Sequence, residues 1–239
     1  MKASATVAVV RCGDRDVVVD QRSSAPLSVR QCGGRILLAS SAAAPVGGDE
    51  LRLTVDVGSG ARVDVGSVAA SIVWPGVGGV ASSMTTECAV GAGAHLDLWL
   101  EPTISVAGSR HRTGTVVRLD GDATCRVVEE SVLGRRDEAS GHLDLSLRVE
   151  RGGRPLVHHD ERFGPDVAGA WSSVSVGAAR HVLSAVLVGI DVGPPQVRVE
   201  ADCAAAWLPV AADAAIVMAI GHDRPSAMNL LAALSPSFV

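Results

Sequence analysis

Apolar residues recur at every second position over short spans along most of the chain. ATVAVV, DVVVD, RILLAS, LRLTVDV, ARVDVGSV, HLDLWL, TGTVVRL, HLDLSLRVE and PQVRVEA all show this, and Gly, Asp, Ser and Pro separate them. A period of two with frequent turn residues predicts short strands. Long helical stretches between them are missing, so the pattern reads as all-β and not as strands alternating with helices.

One unit recurs within this texture. VDVGSGARVDV (55–65), CAVGAGAHLDL (88–98) and VRLDGDATCRV (117–127) each consist of a strand, a tight Gly- or Asp-rich turn, an alanine and a new strand. The alanines Ala61, Ala94 and Ala123 fall about 30 residues apart, an interval that marks stacked repeats. Small residues at the turns let neighbouring layers approach closely. The expected fold is an all-β, β-helix-like layered β-solenoid forming a single domain over 1–239, with the three turns stacked on one side. A jelly roll shares much of this texture. About two short helices are expected. DRPSAMNLLAAL (223–234) has Asp223 as a cap, Pro225 in the first turn and Ala227, Leu230, Leu231 and Leu234 at helical spacing. DCAAAWLPV (202–210) is the other candidate, as a short helical turn.

Composition narrows the functional classes. At 47% hydrophobic the 239-residue chain fills a sizeable core, built from Val, Ala and Leu with 3% aromatic residues and no Tyr. A formal net charge of −5, with Lys2 as the single lysine, argues against a general nucleic-acid binder. No run of about 18 apolar residues exists to span a membrane. The five cysteines, Cys12, Cys32, Cys88, Cys125 and Cys203, are widely spaced, odd in number and never form C-x-x-C. They read as buried reduced thiols of a cytosolic protein.

Candidate chemistry is sparse. GVGGV (76–80) lacks the Lys-Ser/Thr of a phosphate cradle, and neither G-x-S-x-G nor H-E-x-x-H occurs. HHDER (158–162) holds two imidazoles and two carboxylates; on a strand, His158 and Asp160 take one face and His159 and Glu161 the other. One alternative is therefore a small β-fold metal-binding enzyme or cupin-like protein using the His158–Glu161 cluster, the other a solvated strand end. In CRVVEESVLGRR, Glu129 and Glu130 point to opposite faces, so one faces inward and needs a partner or a cation; Arg135 is the nearby candidate. EPTISVAGSRHR (101–112) breaks a strand with Pro102 and ends in Arg110, His111 and Arg112. It supplies no nucleophile with a positioned base, so it reads as a docking or structural connection.

The ordered set PVGGDELRLTVDVGSGARV, LDLWLEPTISVAGSRHRTGTVVRL, VVEESVLGRR and IGHDRPSAMNLLAAL resembles the urease accessory protein family UreD, also called UreH, over roughly residues 26 to 234. The resemblance implies a non-enzymatic, cytoplasmic, β-helix-like scaffold. It would bind the urease apoprotein and UreF, which recruits UreG, and help deliver nickel to urease. No tightly bound cofactor is implied, only transient nickel. Acidic positions of the family's proposed internal nickel route match Asp49 in the G-G-D turn and Glu129, five before the Gly of L-G-R; both are expected to face an internal polar cavity. The chain departs from the family at SIVWPGVGG, where an aromatic-rich stretch is common, and at His111, where Tyr often follows A-G-S-R.

Overall fold

The structure, a computed structural model, describes residues 1–200 and 203–234. Its strands are β1 (Lys2–Cys12), β2 (Arg15–Ser23), β3 (Leu27–Cys32), β4 (Arg35–Ser40), β5 (Glu50–Val57), β6 (Arg62–Ser67), β7 (Ser71–Val73), β8 (Ser82–Val90) and β9 (His95–Trp99). There follow β10 (Thr103–Ser105), β11 (Arg110–Leu119), β12 (Thr124–Leu133), β13 (His142–Arg151) and β14 (Arg154–Phe163). β15 (His181–Val188), β16 (Gln196–Glu200), β17 (Cys203–Ala211), β18 (Ala214–Gly221) and helix α1 (Arg224–Leu234) complete the described chain.

Two sheets face each other. The first runs β14-β13-β11-β8-β5-β1-β2, and the second β16-β17-β18-β15-β12-β9-β6-β4-β3. Along the middle the chain coils: β5, β8 and β11 lie parallel in the first sheet, each turning directly into β6, β9 and β12, which lie parallel in the second. Short β7 and β10 extend the coil, with β10 paired to both β7 and β12. Antiparallel hairpins close both ends, β1–β2 and β3–β4 at one, β13–β14 and the β15–β18–β17–β16 meander at the other. The expected β-solenoid is thus present, with ends that are antiparallel.

The three alanine turns form the ladder expected of them. His95 N donates to Ala61 O at 2.9 Å and Thr124 N to Ala94 O at 3.0 Å, so one turn hands its carbonyl to the next. Ala61, Ala94 and Ala123 are 0–1% exposed, which leaves room for a methyl and nothing larger. Alternate residues of the strands then fill the space between sheets, with Val7, Leu53, Val55, Leu96, Leu119 and Val127 fully enclosed. Each such Leu or Val contributes about 1.5–3 kcal/mol of burial.

The helix at 224–234 is present, with Asp223 Oδ1 accepting from Ser226 N at 2.9 Å as its cap. Its Leu230 and Leu231 pack on Ala205, Trp207, Ala215 and Val217, covering the outer face of the second sheet. The helical turn expected in DCAAAWLPV is instead strand β17 from Cys203 onward; Asp202 lies outside the described residues. Pairing with β18 on one side and β16 on the other overrides the helix propensity of three alanines. The thiols also differ from expectation. Cys88 and Cys125 are buried, and burial pushes both up to about 12, but Cys12 and Cys32 are exposed at hairpin ends.

A cavity between the sheets

Apolar packing does not fill the sandwich from end to end. Beyond the Val- and Leu-rich half, a cavity of about 330 Å³ opens between the sheets. Its mouth is framed by small residues of two connections, Ala42–Ala44 and Ala69–Ser71, and its walls include Leu38, Leu98 and Leu100. At its deeper end lie His111, Thr113 and Thr115 from β11 with Glu129, Glu130 and Ser131 from β12.

Glu129 belongs to the face of β12 that looks into the sandwich. Its Oε1 accepts from Thr115 Oγ1 at 2.6 Å, a bond that crosses from one sheet to the other. Burial pushes its carboxyl up to about 7; the Thr115 bond opposes that rise, nearby Glu161 adds to it and His159 opposes it. Opposite Glu129 in the β12–β15 register stands Ser184, whose hydroxyl donates to Glu161 Oε2 at 2.8 Å, a second crossing between sheets. Nε2 of His159 lies 3.3 Å from the same oxygen, and that contact holds the imidazole above its ordinary value.

HHDER therefore divides as its alternation requires, and the four side chains do not form one ligand set. His158 and Asp160 face outward, 3.2 Å apart, whereas His159 and Glu161 are half-buried and join the electrostatic surroundings of Glu129. Among the described residues no three His, Cys, Asp or Glu side chains converge as a metal cage. Glu129 with its neighbouring hydroxyls offers oxygen donors on one side only.

Asp49 lies apart from this wall. It is 6% exposed, but both carboxylate oxygens are taken: Oδ1 by the Met1 ammonium at 2.9 Å and Oδ2 by Val46 N at 2.8 Å. It closes the G-G-D turn. The glycines of that turn have a steric reason, since a Cβ on Gly47 would sit 2.4 Å from Gly76 Cα where two backbones cross.

Glu129 is half-buried on the cavity wall and Glu130 is buried as well, where the sequence suggested one inward carboxylate. Glu130 faces the other way, under α1. Trp99 Nε1 donates to it at 2.6 Å, Arg224 Nε and Nη2 each at 2.8 Å, and His181 Nε2 stands 2.8 Å away. Burial alone would raise this carboxyl; the bonds from His181, Arg224 and Trp99 overcome it and hold it at about 2. Arg135 reaches neither glutamate. It donates to Glu138 Oε2 at 2.7 Å and lies 5.3 Å over the Trp74 ring, which fixes the loop after the L-G-R motif.

His111, from the Arg-His-Arg cluster, turns inward and meets Ser82 Oγ at 2.8 Å, while Arg110 and Arg112 stay exposed. Burial lowers its pKa to about 4, so it is neutral at pH 7. Thr115 could have been found from its alternation with Val117. Arg224 and His181 carried no such signal, because their roles arise from strands and a helix far apart in sequence.

This geometry defines an all-β coil whose cavity is apolar over most of its wall and polar where β11 and β12 meet, with no cluster of three metal-ligating side chains among the described residues. Comparison with known proteins makes the class specific. Residues 1–236 match the family model described as UreD urease accessory protein, and the chain belongs to that family. A urease accessory protein UreD of Parafrankia sp. (strain EAN1pec) is 32% identical over 231 residues, covering 86% of this chain and 78% of the relative. One from Frankia casuarinae is 34% identical over 216 residues, with 77% and 68% covered. Another from Streptomyces coelicolor is 32% identical over 215 residues, with 86% and 84% covered. An accessory protein by family, it has no described helix long and apolar enough to cross a membrane.

Proposed function

We propose that this protein is a non-enzymatic cytoplasmic scaffold that binds the urease apoprotein and UreF, and UreG through UreF, and helps pass nickel to the urease active site. Nickel is cargo here, held transiently. The observation that carries the reading is Glu129, a half-buried carboxylate on the inner wall of a 330 Å³ cavity, bonded by Thr115 and with His159 nearby. A carboxyl poised near neutrality exchanges a proton for a divalent ion without the tight grip of a thiolate or imidazole cage. Asp49, matched to the same route by family resemblance, acts in this reading by shaping the turn beside the cavity, since its oxygens are engaged.

The test is co-expression with urease and its accessory proteins, measuring urease activity, urease nickel content and co-purification together. Glu129→Ala and Glu129→Gln are expected to lower nickel content and activity severalfold while the complex still co-purifies. Normal nickel content in both variants rules out the transit role of Glu129. Loss of co-purification would make it a structural residue instead.

A further inference from the structure

The cavity between the sheets has far more room than a single ion needs. At roughly 30 Å³ for each water-sized heavy atom, its 330 Å³ takes about ten of them. Most of the wall is Leu38, Leu51, Ile72, Met84, Leu98 and Leu100, side chains that offer water no hydrogen bond. Water against such a wall is poorly bonded, and an apolar ligand that displaces it gains free energy. The bond from Thr115 to Glu129 spans the two sheets and fixes their spacing at the deep end.

That deep end differs in kind from the rest. Thr115 pairs with Thr86 across β11 and β8, Thr113 lies on the same face of β11, and all three line the cavity. Glu129 Oε1 accepts from Thr115, whereas no hydrogen bond among the described residues reaches its Oε2. Thr113 Oγ1 is enclosed and has no partner, a state that a bound donor would relieve. The nearby guanidinium groups are committed elsewhere, Arg135 to Glu138 and Arg224 to Glu130. The wall therefore presents one carboxylate oxygen among hydroxyls and lacks a cationic donor facing it. An alkylammonium group carries three N–H donors and no acceptor, which matches that set.

We propose that this cavity binds a small aliphatic amine, its ammonium donating to Glu129 Oε2 and the threonine hydroxyls and its chain lying along Leu38, Leu98 and Leu100. The charge sets the orientation and the apolar wall supplies most of the affinity. Each methylene buried there tightens binding about fourfold, from about 0.8 kcal/mol per CH₂. A carboxylic acid of the same length would bring a like charge to Glu129, and an alcohol would give up the ion pair. A partner protein's lysine, with its four-carbon stem, would leave about half of the cavity empty. Glu129 is shared with the nickel reading, but the amine needs no nickel to bind.

The probes are n-octylamine, n-butylamine, n-octanol and octanoate, titrated into the full chain at pH 8 by calorimetry. Octylamine is expected to bind once per chain, at least tenfold tighter than octanol or octanoate and at least thirtyfold tighter than butylamine. Glu129→Gln should bring octylamine within threefold of octanol and leave octanol unchanged. Leu100→Trp, which fills the cavity from a half-buried position, should weaken both at least tenfold, with its fold checked by thermal melting. The chain-length series and Glu129→Gln decide the matter without that variant. No octylamine binding, octanol binding as tightly as octylamine, or undiminished octylamine affinity in Glu129→Gln overturns the proposal. So does N-acetyl-lysine amide binding as tightly as octylamine, since a partner's lysine is then the occupant. The co-expression test decides the nickel reading separately. Lowered urease nickel in the Glu129 variants with no octylamine binding keeps that reading and removes the amine, and normal nickel with octylamine binding does the reverse.

Discussion

Arg224→Ala removes two of the four donors that surround Glu130 and detaches the first turn of α1 from β12. The Glu130 side chain has no exposed surface while Arg224 is 43% exposed, so the lost guanidinium leaves a carboxylate that water reaches only from the Arg224 side. Two routes give the magnitude. Holding the carboxyl at about 2 against an ordinary 4.5 corresponds to roughly 3 kcal/mol at 1.36 kcal/mol per pKa unit, a stabilisation that His181, Arg224 and Trp99 share, so it is an upper bound for Arg224 alone. Removing one partner of a buried pair costs about 3–5 kcal/mol in general. With Arg224 43% exposed and only part of that stabilisation its own, the expectation is about 2–3 kcal/mol, or a fall in Tm of about 4–12 °C for a chain of this size. The sign with pH is fixed by the depressed value: the stabilisation is complete above 4.5 and is lost as pH falls toward 2. Urea unfolding between pH 2.5 and 7 therefore checks the variant twice. Arg224→Ala should be less stable at pH 7 and should lose less on acidification than the wild type. A variant within 0.5 kcal/mol of wild type, or with an unchanged acid slope, would refute the assignment of Glu130 as an anchor of the helix.

A separate acid window belongs to His111. Its pKa is lowered from 6.5 to about 4, so the unfolded chain binds the proton first, and stability falls as pH drops from 6.5 through 4 by up to about 3 kcal/mol. His111→Gln should flatten that part of the stability-against-pH curve while leaving the region below 4 as it was; an unaltered curve would contradict the burial of a neutral imidazole. Gly47→Ala should cost roughly 3 kcal/mol or more in chemical denaturation, because the added methyl meets the Gly76 backbone. Gly13→Ala is its control, with open space around the Cβ and only a positive φ of 62° to resist it, for about 1 kcal/mol.

The solenoid was readable because its strands are half-buried and therefore alternate, and because the alanines at its turns are pinned by hydrogen bonds from the next rung. β15 escaped notice for the opposite reason. HVLSAVLV is buried at all eight positions, so both faces are apolar and the period of two disappears. β17 was misread because its alanines say helix locally and only cross-strand partners say otherwise. At the site, the inward face of Glu129 followed from alternation and family likeness, but HHDER read as a surface strand end, and the half-buried His159 and Glu161 departed from that. The enclosure of Glu130 did not, because the cover is α1, whose docking face is visible in the sequence but whose destination is not. The same limit applies to Arg135: proximity in sequence suggested Glu129, but the chain turns sharply after Gly134 and takes the arginine to Glu138 and Trp74.

The four donors of Glu130 also impose an order on synthesis. Trp99 leaves the ribosome before it, His181 follows by 51 residues and Arg224 by 94. During that interval β12 can join the parallel rungs already made, yet its outer glutamate remains uncompensated and the strand lacks its neighbour on one side. A nascent chain halted before residue 224 would thus hold most of its coil with an ionised, partly covered carboxylate and an uncapped sheet. Such a chain presents an aggregation-prone edge to the cell at the moment when a partner, or a chaperone, has most to gain from reaching it.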